Sequence, residues 1–496
     1  MGVVAEGGAL FLVRFGVEVT TKARGTRRRF QKRLRRNLED AARSEGVEVQ
    51  VEDLWSRFLV TASSPRFEEA LARVHGVSSF SQVRARIPAE LTRIVEVGEA
   101  EFSSEVNGRT FAVRARRSGR HAFNSQNVRE DLGAALLPYS AGVNLDHPEV
   151  TVSVEVRDRE AFLFSGRTEG PGGLPLGVQG KAVCLISGGF DSAVAAWLLL
   201  RRGVSLEYVF CNLGGAAYER AVLSVAKVLA DRWSYGDHPR IHVVDFEGPL
   251  EELRERVTGS FQQVILKRLM YRTADAIARE CGAEGVVTGE SLGQVSSQTL
   301  GNLRCIDDAA ELPVLRPLLG MEKPEIIQRA HAIGTGPISA KVREYCAIHA
   351  GRPVTHARPD AVTREEEKLS PDLLDASVAE RRTLDLRELD AMDLVAPYLF
   401  VDTVPPGAQV LDLREAQAHR KWSFPGSRRI SGRELTRSGV REMEKERTYV
   451  LFCGQGLESA DAAEDLQRKG FEAYAFRGGV AKLKAEAAAG GREPAE

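Results

Sequence analysis

The stretch with the clearest chemistry is Lys181–Ser192, KAVCLISGGFDS. Ala182–Ile186 is a short β-branched and apolar run, the pattern of a buried parallel strand. Ser187, Gly188 and Gly189 permit a tight turn. Asp191 and Ser192 are cap-type residues ahead of an apolar-periodic helix, Ala193–Arg201. A strand, a glycine turn and a helix start together make an anion cradle, because the first-turn amides and the helix dipole point at one spot. No lysine follows the glycines, so the phosphate-gripping pattern G-x-x-x-x-G-K-[ST] is absent. A second candidate is Cys453 in CGQGLES, after the strand pattern Tyr449–Phe452 and before the helix pattern Ser459–Gly470. Gly454 and Gly456 would free backbone amides to face the sulfur, an arrangement suited to a thiolate or persulfide.

Several elements must position these groups. In the central region strand and helix patterns alternate from Ala182 to Thr288, as in a doubly wound α/β sheet whose ligands bind beyond the carboxyl ends of the strands. Two further strand ends suit that site: Asn212-Leu213-Gly214-Gly215, and Val287-Thr288-Gly289-Glu290 running into SLGQVSSQT. The N-terminal region reads β-α-β-β-α-β over residues 8–87, the ferredoxin-like order, with a basic helix from about Gly25 to Ser44. A second α/β unit follows, with strand Arg109–Ser118, helix Asn124–Leu137 and the strand pair Thr151–Arg157 and Ala161–Gly166. The Gly/Pro stretch Gly170–Gly180 reads as a hinge. The expected domains are therefore 1–88, 89–169, linker 170–180, 181–395 and 403–486. Residues 359–392 read as a connector.

A chain of 496 residues allows about three domains, each with its own core. No window approaches a membrane span, and ALFLVRF is cut by Arg14 and lacks a signal-peptide layout, so a cytoplasmic protein without membrane contact is expected. The net charge of −1 is unevenly placed: Lys22–Arg36 holds nine basic residues and no acidic one. Arg27, Arg28, Arg29 and Lys32 from this run, and Arg114, Arg116, Arg117 and Arg120 from a second cluster, are candidates for a phosphate-backbone footprint. Arg114 and Arg116 alternate with Val113 and Ala115 and so share one strand face. Six cysteines, at 184, 211, 281, 305, 346 and 453, form no C-x-x-C pair, which argues against zinc or a disulfide framework. Cys184 and Cys211 sit in apolar strand patterns as core thiols, and Cys346, taken alone, reads as a buried structural thiol.

SGGFDS resembles the PP-loop of the N-type ATP pyrophosphatases, which cleave ATP between the α- and β-phosphates. TFAVRARRSGRHAFNSQNVREDLGAALL, with VNLDHPEVTVSVEVRDREAFLFSG after it, resembles a THUMP domain, which implies a tRNA substrate held by shape and backbone. VLDLREAQAHRKWSFPGSRRI, the Cys453 loop and FRGGVAKL resemble a rhodanese domain. In order along the chain, SGGFDS, FCNLGGAAYE, VILKRLMYR, VTGESLGQVSSQTLGNLR, VLRPLLGMEKPEII and REYCAI resemble the tRNA 4-thiouridine synthetase (ThiI) family.

That resemblance implies an ATP-dependent sulfurtransferase that adenylates uridine 8 of tRNA, in some bacteria also supplying sulfur to a carrier protein for the thiamine thiazole. The family's nucleotide contacts map onto Leu185, Ile186, Lys267, Gly289 and Gln298, beside the loop residues Ser187, Gly188, Gly189 and Ser192. Asp191 and Lys323 match positions needed for adenylation, with Asp191 also implied as a Mg2+ ligand. The family match reverses the reading of Cys346, implying that it forms a redox disulfide with Cys453, which in turn requires a thiol reductant. A homodimer is implied too. Glu458 stands where sulfurtransferases acting on small anions often carry arginine, so a cysteine desulfurase persulfide is the expected donor and thiosulfate a poor one. Two other readings remain open at this stage: another PP-loop ligase acting on a small carboxylate, and a non-catalytic tRNA-binding scaffold.

Overall fold

The computed structural model describes residues 8–489 except 55, 214, 341, 343–351, 390–398, 415, 432–434, 436–442, 446, 454–456, 470 and 478. It divides into two compact units, Met1–Glu388 and Leu389–Glu496. No described helix is long and apolar enough to cross a membrane.

The N-terminal half of the first unit is one continuous sheet of nine described strands rather than two separate small sheets. Val77–Pro88, the last strand of the ferredoxin-like order, pairs antiparallel with Glu160–Ser165 of the second α/β unit. Ala9–Phe15 explains why the run is apolar on both faces. Phe11 and Val13 pack with Phe30, Leu34 and Leu38 of the helix Arg24–Ser44, while Leu10 and Leu12 pack with Leu59, Phe162 and Phe164. The buried Glu155 carboxylate bonds the Arg57 guanidinium and lies 3.7 Å from Arg14 and from Arg157, so a charge that would be costly alone is compensated by three neighbours.

The Gly170–Gly180 stretch is not a hinge. The Leu174 amide donates to the Arg201 carbonyl at 3.0 Å, and those of Gly177 and Gln179 donate to Gly203 at 2.9 and 3.0 Å. Leu174 and Leu176 are buried, Leu174 within the N-terminal core, so the segment is a strap held between that core and the central domain. The basic helix docks on the same place. Arg33 donates to the carbonyls of Leu176 (2.7 Å) and Gly236 (2.8 Å), and Asp40 accepts from the Gly236 amide (2.6 Å) and from Arg387 (2.8 Å).

His75 sits in this junction between Trp197 and Trp233, ring centroids 6.0 and 5.7 Å away, with neither ring nitrogen hydrogen-bonded. Burial, and then the Arg201 charge, push its pKa from 6.5 down to about 3. The unfolded chain takes up this proton below pH 6.5 while the folded chain does so only near pH 3. Stability is therefore complete above 6.5 and falls as the pH drops, by about 2 kcal/mol between pH 7 and pH 5. Denaturant midpoints at the two pH values are expected to show this loss in the native protein and not in His75→Phe.

The central sheet is parallel in the order Val314–Leu315, Val286–Val287, Lys181–Leu185, Ser205–Asn212, Arg240–Asp245, and is closed at the far edge by the antiparallel strand Arg382–Asp385. Residues 359–388 are thus part of this domain and not a connector. Glu366 accepts from Arg268 and Arg272 of the helix Gln262–Glu280, and Arg387 reaches back to Asp40. Glu207, inside the sheet, accepts from Lys181 (2.8 Å) and Arg240 (3.0 Å) and bonds His242 (2.9 Å). Although burial opposes it, these partners hold the Glu207 pKa down at about 2.

The second unit is a parallel sheet in the order Phe400–Val401, Glu472–Phe476, Thr448–Phe452, Gln409–Asp412, Arg428–Arg429. Buried Asp412 accepts from Arg414 and bonds His419 at 2.8 Å, which fixes the turn after its strand.

Candidate functional site

The helix after the SGGFDS turn begins three residues earlier than the expected Ala193. It spans Phe190–Arg201 with Gly189 at the N-cap, so Asp191 and Ser192 lie inside the first turn rather than capping it. Ser192 is buried, and its hydroxyl accepts from the Ser187 amide (3.2 Å) and donates to the Gly189 carbonyl (3.3 Å), tying the loop to itself. Tyr218 donates to the Ser187 carbonyl at 3.1 Å from the neighbouring helix. Gly188 has φ +73° and a Cβ there would lie 3.2 Å from the Val222 Cα, so glycine is needed on both counts. Gly289 is needed for space alone: a Cβ would fall 2.6 Å from the Ser192 amide nitrogen and 2.7 Å from the Asp191 carbonyl carbon. That close approach brings the strand end at Val287 against the helix start.

Asp191 and Lys323 meet at this mouth. Lys323 is the first residue of the helix Lys323–Ile333, whose start is secured by reciprocal bonds between Glu322 and Glu325. Its Nζ lies 2.8 Å from each Asp191 carboxylate oxygen, and Gln294 donates to Asp191 Oδ2 at 2.9 Å. The two residues matched to adenylation, 132 positions apart, are therefore paired with each other.

Behind them is a cavity of about 130 Å³ lined by Leu185, Ile186, Ser187, Asp191, Ser192, Lys267, Gly289 and Gln298 among others. Gly188 and Gly189 form the turn beside it, not its wall. Larger hollows of about 690 and 1030 Å³ lie elsewhere on the first unit, but neither touches the glycine turn or the Asp191–Lys323 pair. Chemistry rather than size singles out the smaller one. Its wall also carries Tyr218 and Tyr271, which sequence reasoning did not name as site residues, and Thr288 and Glu290 of the strand end it had placed at the site without giving either a role. Glu290 is 2% exposed, accepts from Thr288 Oγ1 (3.2 Å), Arg316 Nε (2.9 Å) and the Tyr271 hydroxyl, and has Lys267 Nζ 3.7 Å from its other oxygen. Burial works against the charge, but Lys267, Tyr271 and Arg316 keep the Glu290 pKa below the usual carboxylate value. The available signal was a carboxylate next to Gly289 at a strand end, inside a segment already singled out.

In the second unit Cys453 directly follows Thr448–Phe452, a strand flanked on both sides by parallel neighbours, and precedes the helix Leu457–Arg468. It is buried at 4% exposure, with its Sγ 3.5 Å from the Ser459 hydroxyl. Gly454, Gln455 and Gly456, the Glu458 side chain and Cys346 lie outside the described residues.

Of the basic candidates, Arg28, Arg29, Lys32, Arg114, Arg116 and Arg120 are exposed, whereas Arg27 and Arg117 are half-buried. Arg114 and Arg116 do share the outer face of Thr110–Ser118. Arg117 instead turns to the Gly119 carbonyl at 2.8 Å.

Four families match in succession: a ThiI ferredoxin-like domain over residues 10–81, a THUMP domain over 91–165, thiamine biosynthesis protein (ThiI) over 177–370 and a rhodanese-like domain over 403–486. A tRNA sulfurtransferase of Pyrobaculum aerophilum is 38% identical over 94% of this chain and 96% of its own length. One of Desulfurococcus amylolyticus is 35% identical over 96% and 98%. A crystal structure of a 4-thiouridine synthetase–RNA complex with bound ATP aligns with TM-score 0.68 and 31% identity, covering 76% of this chain and 99% of that one. With identity at this level along nearly the whole length, the chain belongs to the tRNA sulfurtransferase (ThiI) family.

Proposed function

We propose that this protein is an ATP-dependent tRNA sulfurtransferase that activates uridine 8 of tRNA as its O4-adenylate and replaces AMP with sulfur to give 4-thiouridine. The observation that carries the reading is the Asp191–Lys323 pair at the mouth of the glycine-turn cavity. The cavity is small against the ~300–1,000 Å³ of typical ligand pockets, so it suits the base end of a nucleotide, with the phosphates outside over the Phe190–Arg201 helix start. There Lys323 would balance charge on the α-phosphate as uridine O4 attacks and pyrophosphate leaves. Magnesium fits this donor set only as an ion arriving on the triphosphate. Among the described residues no three metal-ligating side chains are gathered, and Asp191 is the carboxylate at hand. When bound, the ion would neutralise phosphate charge.

The sulfur half falls to the two cysteines. The terminal sulfur of a Cys453 persulfide attacks C4 and AMP departs; Cys346 thiolate then attacks Cys453 Sγ, releasing the thiolated base and leaving a Cys346–Cys453 disulfide. An external dithiol returns the two electrons. A cysteine desulfurase supplies the persulfide, and the exposed arginines and Lys32 hold the tRNA backbone. The protein works in the cytoplasm as a homodimer and can also pass sulfur to a carrier protein for thiamine synthesis.

The test is one reaction containing tRNA, Mg-ATP, cysteine, a desulfurase and a dithiol, read as 4-thiouridine by nucleoside mass spectrometry and as AMP and pyrophosphate. Product is expected with the desulfurase system and little with thiosulfate. Absence of thiolated tRNA, or ADP in place of AMP, overturns the reading, and equal turnover with thiosulfate overturns the assignment of the donor.

A further inference from the structure

Glu290 is a buried charge that the proposed reaction does not use, and its two oxygens are treated unequally. Oε2 receives the Tyr271 hydroxyl, Thr288 Oγ1 and Arg316 Nε. Oε1 is buried, accepts no hydrogen bond and lies 3.7 Å from Lys267 Nζ on the cavity wall. Arg316 cannot fully neutralise this carboxylate, because it is shared with Asp307. The group Glu290–Arg316–Asp307 thus carries one unmatched negative charge, and Lys267 is the cation facing it. At 3.7 Å the ammonium is attracted to Oε1 by charge, and this contact helps hold it at the cavity wall.

We propose that Glu290 is a positioning residue that holds the Lys267 ammonium at the cavity wall for the nucleotide. This rests on reading the cavity as the nucleotide site. Glu290 acts through Lys267 and not by touching the nucleotide itself, and the rest of its shell (Tyr271, Thr288, Arg316) serves to fix the carboxylate.

A double-mutant cycle on ATP affinity, measured by calorimetry on the full chain, separates this from a general structural role. Glu290→Gln and Lys267→Met are each expected to weaken ATP binding about tenfold, and the double variant no more than Lys267→Met alone. Glu290→Asp, which keeps the charge and so the fold, is run against the same Lys267→Met background and is expected to fall between wild type and Glu290→Gln when alone. Losses that multiply in the double variants, or wild-type affinity in Glu290→Gln, overturn the inference. A wild-type protein that binds no ATP overturns the nucleotide reading itself, and with it the role given to Glu290.

Discussion

Cys453→Ala is expected to lower 4-thiouridine formation by about a thousandfold or more, as loss of a covalent nucleophile does, while pyrophosphate release from Mg-ATP and tRNA continues. The other described cysteines cannot stand in for it. Burial pushes the Cys184 thiol up to about 12 and raises those of Cys281 and Cys305, which removes the thiolate needed to accept or pass sulfur at neutral pH. Cys211 is buried in a strand of the central sheet. Cys453 alone follows a strand and opens a loop into a helix, beside the Ser459 hydroxyl. It is also the one cysteine of its unit. Alanine removes the sulfur without adding volume to the small core around Leu451, Ala463 and Ala475, so folding should be kept. The check is nucleoside mass spectrometry beside a pyrophosphate assay on the same reaction. Retention of thiolation would show that sulfur travels by another route.

Asp191→Ala has the complementary phenotype: pyrophosphate release is expected to fall by about a hundred- to a thousandfold, with tRNA affinity unchanged. Asp191 holds Lys323 through both carboxylate oxygens and is itself held by Gln294. Its removal frees the lysine from the mouth and takes away the carboxylate there. The exposed arginines 28, 29, 114 and 116 belong to the N-terminal sheet and its helix, so the tRNA contacts proposed for them should persist. Filter binding of tRNA measured beside pyrophosphate release separates the two functions. Normal release in this variant would remove Asp191 from the chemistry, and lost tRNA binding would show that the substitution damages the fold instead.

The candidate site was legible in the chain wherever its chemistry is local. A β-branched run, two glycines and an apolar-periodic helix place the turn of SGGFDS by backbone geometry alone. A cysteine between a strand pattern and a helix pattern is placed in the same way. The basic helix expected from about Gly25 to Ser44 spans Arg24–Ser44, because its apolar stripe of Phe30, Leu34 and Leu38 packs on one core. Local patterns were weaker where composition and packing disagree. Gly170–Gly180 has the glycine and proline content of a flexible link, yet its amides and leucines are consumed by Arg201, Gly203 and the docked helix. Residues 359–388 look polar and connective, yet supply the sheet's antiparallel edge and the Glu366 and Arg387 ion pairs.

What the sequence by itself determined, then, is the order of the elements, the glycine turn proposed to face a phosphate and the cysteine proposed to carry sulfur. Only the tertiary structure decided which charges meet. Asp191 finds Lys323 across 132 residues, and Arg387 finds Asp40 across 347. Glu290, one residue past a glycine, becomes a buried partner of Lys267, Tyr271 and Arg316. The reason is physical. Periodicity and turn chemistry act over one turn or one strand, whereas the pairing of ions depends on which helix start packs against which strand end and on how much water that packing removes.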